Sequence, residues 1–64
     1  MSLEKLKKLR TREKLTYQQV ADYAGISKEY YWFIENGKRR LTYEMAIKIA
    51  KVFNKKPDDI FFEQ

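Results

Sequence analysis

The side chains able to do chemistry in this sequence of 64 residues are cations, carboxylates and aromatic rings, because it contains neither histidine nor cysteine. Thiolate nucleophiles, imidazole bases, disulfides and zinc sites built on either ligand are therefore excluded. No nucleophile, base and orienting group can be assembled from the remainder, so catalysis is a distant reading. What remains is binding chemistry, concentrated between residues 28 and 40. Lys28 and Glu29 precede the aromatic run Tyr30, Tyr31, Trp32 and Phe33, and the basic run Lys38, Arg39 and Arg40 follows. Asp58 and Asp59 form the one carboxylate pair that suggests a metal. They follow Pro57, however, in the first turn of an expected helix, where the helix dipole accounts for them. No metal and no cofactor is expected.

The charge balance names the class of partner. Net charge is +5, and residues 1–56 carry +8 while the tail 57–64 carries −3. A polyanion is the first partner to consider, nucleic acid before membrane. The longest unbroken apolar run, Tyr30 to Ile34, is far short of the roughly 20 residues that span a bilayer, and the N-terminus lacks a signal-peptide apolar segment. A soluble, cytoplasmic chain with no membrane partner is expected. Sixty-four residues make one domain, 1–64, because a chain this short buries only about 60% of its unfolded surface and cannot divide a core. Good helix packing, a bound partner or self-association must then supply its stability.

Helices must position these residues, since no period-2 alternation of any length occurs. Ser2 can cap a first helix in which Leu3, Leu6 and Leu9 form one stripe, ending near Lys14. Thr16 with Gln19 makes a capping box for a second, which turns Val20, Ala21 and Ala24 inward and stops at Gly25. Ser27 caps a third, running to about Asn36 and stopping at Gly37. Thr42 caps a fourth, closed by Asn54, with Met45, Ile49, Val52 and Phe53 on one face. Pro57 suits the first position of a fifth. The expected fold class is all-α, five short helices.

The exposed side of the third helix follows from its periodicity. At about 100° per residue from Lys28, Tyr31 and Ile34 fall near 300° and 240°, while Glu29, Trp32 and Phe33 fall near 100°, 40° and 140°. Trp32 has polar helical neighbours and Ile34 has Tyr30 and Tyr31, so Lys28, Glu29, Trp32 and Phe33 form the outward face. Lys28 could reach guanine O6 and N7, Glu29 could accept from cytosine N4, and the rings could pack on thymine methyl groups. Equally, an exposed aromatic pair is the mark of a protein interface.

Two helices joined by only Gly25, Ile26 and Ser27 cannot lie antiparallel, which is helix-turn-helix geometry. The run Leu15-Thr16-Tyr17-Gln18-Gln19-Val20-Ala21-Asp22-Tyr23-Ala24-Gly25-Ile26-Ser27, continued by Ile34-Glu35-Asn36-Gly37-Lys38-Arg39, resembles the phage-repressor and Cro-type helix-turn-helix family, the XRE family. Leu9-Arg10, Ala46-Ile47-Lys48-Ile49-Ala50 and Pro57-Asp58-Asp59-Ile60-Phe61 extend the resemblance over nearly the whole chain. It implies a compact five-helix, lambda-repressor-like domain that binds double-stranded DNA as a homodimer on a palindromic operator, with helix 3 in the major groove. The resemblance assigns base contacts to Lys28, Glu29, Trp32 and Phe33. Backbone contacts are expected from Tyr17, Gln18, Tyr30, Lys38, Arg39 and Arg40, although Tyr30 could simply pack and the loop cations could simply be solvated. Arg10 and Glu35 look like the family's paired charges, implying a buried ion pair. Three positions depart from the pattern: Tyr17 replaces a common Gln, Tyr31 a buried aliphatic, and Lys56 a small cap before the proline. With no sequence after helix 5, a stand-alone regulator of the Cro kind is expected. The rival is a protein-interaction module of the same fold, of antitoxin or antirepressor type, using Trp32 and Phe33.

Overall fold

The computed structural model describes residues 3–61. Among them are five helices, α1 (Glu4–Arg12), α2 (Tyr17–Ala24), α3 (Lys28–Glu35), α4 (Tyr43–Val52) and α5 (Pro57–Ile60). They fill an envelope of 29 × 22 × 19 Å. None is long and apolar enough to cross a membrane. The expected cap Ser2 lies outside the described residues, and Leu3 occupies the N-cap position of α1.

Side-chain caps start three of the helices where the sequence places them. Thr16 Oγ1 accepts from the Gln19 amide at 3.1 Å while Gln19 Oε1 accepts from the Thr16 amide at 2.9 Å. Ser27 and Thr42 accept from the amides of Tyr30 and Met45, each at 3.1 Å. Such caps contribute about 1 kcal/mol each by satisfying donors that the helix leaves unpaired. The start of α5 has no side-chain acceptor for a cap, since Lys56 stands there, but the Lys56 backbone amide donates to Asp59 Oδ2 at 3.3 Å. Pro57 at its first position needs no amide partner.

The ends of α1 to α4 share one device, in which a left-handed residue lets the next amide reach back five residues. Leu15, Ile26, Lys38 and Lys55 donate to the carbonyls of Arg10, Ala21, Phe33 and Ala50, at 2.8–3.0 Å. The left-handed residues are Lys14 (φ 58), Gly25 (φ 76), Gly37 (φ 71) and Asn54 (φ 56). The helices accordingly stop short of the expected bounds. α1 ends at Arg12 rather than near Lys14, α3 at Glu35 rather than Asn36, and α4 at Val52 with Asn54 beyond it.

α2 packs most extensively on α3 and also on α4, α4 carries α5, and α1 rests against α3. Their apolar stripes converge on one core in which Leu6, Val20, Tyr31, Ile34 and Ile49 are the large buried side chains. Ala21, Ala46 and Ala50 are also buried, so no side-chain bulk separates the helices at those points. Leu3 N donates to Glu35 O at 2.9 Å, tying the start of α1 to the end of α3.

The turn between α2 and α3 needs glycine for its backbone angle alone. A Cβ at Gly25 would meet nothing within 4 Å, yet φ is +76. Gly25→Ala should therefore lose about 1–2 kcal/mol from left-handed strain without any clash. Conversely, Lys14→Gly should gain up to about 1 kcal/mol, because the same strain exceeds the entropy cost of glycine. Thermal melting checks both signs: at about 4–8 °C per kcal/mol, the two variants should move in opposite directions.

Candidate nucleic-acid interface

Helix α3 is divided sharply by burial. Tyr31, Ile34 and Glu35 face the core, whereas Lys28, Glu29, Trp32 and Phe33 face solvent, with Trp32 38% and Phe33 40% exposed. The Trp32 and Phe33 rings meet edge to face, centroids 5.5 Å apart and planes at 79°. Tyr17, half-buried at the start of α2, completes with these four residues an open cleft of about 320 Å³. Phe33 and Glu29 also border a second hollow, of about 320 Å³, lined further by Ser27, Tyr30 and Arg39.

Of the remaining expected backbone-contact residues, Tyr30 and Arg39 border the second hollow. The Arg39 guanidinium lies 5.2 Å from the centroid of the half-buried Tyr30 ring. Lys38, Arg39 and Arg40 are all exposed. Their loop is anchored to α3, because the amides of Lys38 and Arg39 both donate to the Phe33 carbonyl, at 2.8 and 3.2 Å. Gln18 is exposed on α2, where its side-chain Nε2 donates to Asp22 Oδ1 at 2.8 Å. It lines neither hollow.

Behind the face lies a buried polar network. Arg10 Nε and Nη2 donate to the two carboxylate oxygens of Glu35, at 2.8 and 3.2 Å. Arg10 Nη1 donates to the Leu15 carbonyl at 3.0 Å, and Tyr31 Oη donates to Glu35 Oε1 at 2.7 Å. The guanidinium carbon stands 4.1 Å from the centroid of the Tyr17 ring. Among the described residues no buried side-chain polar atom lacks a hydrogen-bond partner. The hydrogen bond to Glu35 raises the Arg10 pKa against the opposing effect of burial. Burial, then the hydrogen bond to Glu35, pushes the Tyr31 hydroxyl well above its ordinary value.

Two members of this network carry no signal in the sequence taken along one helix. Tyr17 reaches Arg10 only because α1 and α2 approach, and the Leu15 carbonyl is exposed to the guanidinium by the left-handed Lys14. Tyr31 could have been found, since it stands one helical turn before Glu35 and its hydroxyl reaches that carboxylate.

A helix-turn-helix family model matches residues 6–60. The chain belongs to the helix-turn-helix family. Its type is that of the phage repressors and Cro, whose members are DNA-binding transcriptional regulators. An uncharacterized HTH-type transcriptional regulator of Archaeoglobus fulgidus is 37% identical over 57 residues, covering 89% of this chain and 80% of that protein. Another, from Methanocaldococcus jannaschii, is 40% identical over 57 residues, covering 89% of this chain and 86% of that one. Among solved structures, the restriction-modification controller protein C.AhdI from Aeromonas hydrophila superposes with a TM-score of 0.86 at 26% identity, covering 91% of this chain and 88% of that one. The SINR protein/SINI protein complex contains a chain of the same fold, TM-score 0.86 at 20% identity, of which 62% is covered along with 98% of this chain.

Removing half of the buried pair should destabilise the whole helix-turn-helix fold. Glu35→Gln leaves Arg10 charged and uncompensated, a loss of about 3–5 kcal/mol that approaches the entire stability of a small domain. An unchanged melting temperature would contradict the role of this pair. Tyr31 adds a pH dependence. Its folded-state pKa is raised above the ordinary tyrosine value of about 10, so its contribution is complete below about pH 10 and is lost as pH rises beyond that toward the folded value. Denaturant titrations of the wild type and Tyr31→Phe should thus converge in stability above about pH 10, the wild type falling more steeply.

Proposed function

We propose that the chain binds a palindromic DNA operator as a dimer, with α3 in the major groove, and regulates transcription by occlusion or recruitment at a promoter. The observation that carries this reading is the arrangement of α3. Its core-facing side is fixed by Tyr31, Ile34 and Glu35, and its opposite side presents Lys28, Glu29, Trp32 and Phe33 next to the cationic loop Lys38, Arg39 and Arg40. Base-reading groups therefore stand beside phosphate-binding ones, which is the division of labour a sequence-specific duplex binder needs. Kinship supports the reading: the relatives of A. fulgidus and M. jannaschii bear the name of transcriptional regulators, and C.AhdI that of a controller protein.

Tyr17, Gln18 and Tyr30 take the flanking backbone in this arrangement, and phosphate contacts set the register without reading sequence. Lys28 and Glu29 supply hydrogen-bonding base contacts at the start of α3. The exposed Trp32 and Phe33 favour a second reading, in which this face docks a protein partner. Salt separates the two. Six phosphates neutralised by a dimer give a slope of about −5 in log K against log salt, and half-sites should lie about 10 base pairs apart. Titrations of duplex DNA at several salt concentrations, with footprinting of a selected site, measure both. A flat salt response or a strictly one-sided site would remove the dimeric operator.

A further inference from the structure

The outward face of α3 is unusual for a surface expected to read hydrogen-bonding base edges. Trp32 and Phe33 offer a single indole N–H between them and no acceptor. Tyr17 joins them from another helix to close the apolar cleft of about 320 Å³. This third wall is held from behind. The Tyr17 ring lies 4.1 Å from the Arg10 guanidinium, and its centroid is 6.1 Å from that of the buried Tyr31 ring, at 50°. Arg10 and Tyr31 are in turn fixed by Glu35.

The surrounding charge limits what can enter. Arg10 neutralises Glu35, so the exposed part of α3 and its loop carries Lys28, Lys38, Arg39 and Arg40 against Glu29 alone. The complement is a polyanion that also presents small apolar groups. Duplex DNA presents one such group in its major groove, the 5-methyl of thymine. An amino group of cytosine or adenine pressed against the ring faces would lose its water, and only at the edge of the cleft, at the Glu29 carboxylate or the Tyr17 hydroxyl, would it find an acceptor.

We infer that Tyr17, Trp32 and Phe33 form a single cleft that reads the 5-methyl group of pyrimidines, with Tyr17 a specificity-determining wall positioned by Arg10. This rests on the proposed placement of α3 in the major groove. It adds a base-facing role for the Tyr17 ring to the backbone contact proposed for its hydroxyl. Thymine and 5-methylcytosine share the recognised group, whereas uracil and cytosine lack it.

The test starts with duplexes selected by the full chain from a random library. Each selected duplex is remade with deoxyuridine for thymidine at one position at a time, and affinities are compared. At one or two positions per half-site, loss of the methyl group should weaken binding about four-fold, the equivalent of one buried methylene. Placing cytosine there should weaken binding further, and 5-methylcytosine should recover about the same factor. Phe33→Ala and Tyr17→Ala should bind the thymine and uracil duplexes equally, while Tyr17→Phe keeps the discrimination. Circular dichroism melting shows which variants are folded, and the exposed Phe33→Ala serves if Tyr17→Ala is not. A selected site in which every thymine tolerates uracil overturns the inference but leaves the placement of α3 standing. Affinity for the selected site that is unaltered in both Phe33→Ala and Trp32→Ala hands this face to a protein partner and also overturns it. Failure to select any duplex overturns the inference and the DNA-binding reading together.

Discussion

The ion pair between Arg10 and Glu35 is the constraint on which the other parts depend. It joins the end of α1 to the end of α3, and the same guanidinium holds the Leu15 carbonyl and the Tyr17 ring at the entrance to α2. Three of the five helices are thereby referred to one side chain. A buried ion pair is weak evidence for stability, because desolvation offsets much of its attraction. Its consequence here is directional: hydrogen bonds and a stacked ring fix positions that non-directional apolar packing would leave adjustable.

That directionality reaches the surface through Tyr31 and Tyr17. Tyr31 donates to Glu35 from within the core and lies beside Tyr17, which is shared between the network and the outer cleft. An aliphatic side chain at position 31 could fill the volume but could not occupy the second acceptor site on Glu35 Oε1. Helix α3 is therefore positioned from beneath by polar contacts that do not involve Trp32 or Phe33. Trp32 and Phe33 meet edge to face and leave part of each ring in solvent, a costly arrangement for an isolated surface and a useful one for a face that becomes covered on binding.

The short helices impose their own requirement. Each of α1 to α4 is 8–10 residues long, too short to persist in isolation. Side-chain caps at the starts of α2, α3 and α4 and left-handed residues at the ends of all four satisfy groups that would otherwise compete for water. Lys14 fills one of these left-handed positions despite its Cβ, and the reward is local: it delivers the Leu15 amide and carbonyl to Arg10.

Much of this was legible in the sequence because it depends on neighbours within one helical turn. The caps at Thr16, Ser27 and Thr42, the glycine stops at 25 and 37, and the inward and outward faces of α3 all follow from spacing and local hydrogen bonding. The helix-turn-helix resemblance rests on that same local pattern. Lys14 as a left-handed residue was not legible, since lysine has no preference for that conformation and only the Leu15 contacts select it. Nor was the position of Tyr17. Its spacing is compatible with a phosphate contact or with packing, and the distance to Arg10 is set by how α1, α2 and α3 pack together. The sequence by itself determined which residues point out of each helix, because side-chain direction repeats with the helical period. The tertiary structure alone decided which outward residues become neighbours, because a cleft shared by Tyr17, Trp32 and Phe33 exists only once two helices have been fixed at one relative position.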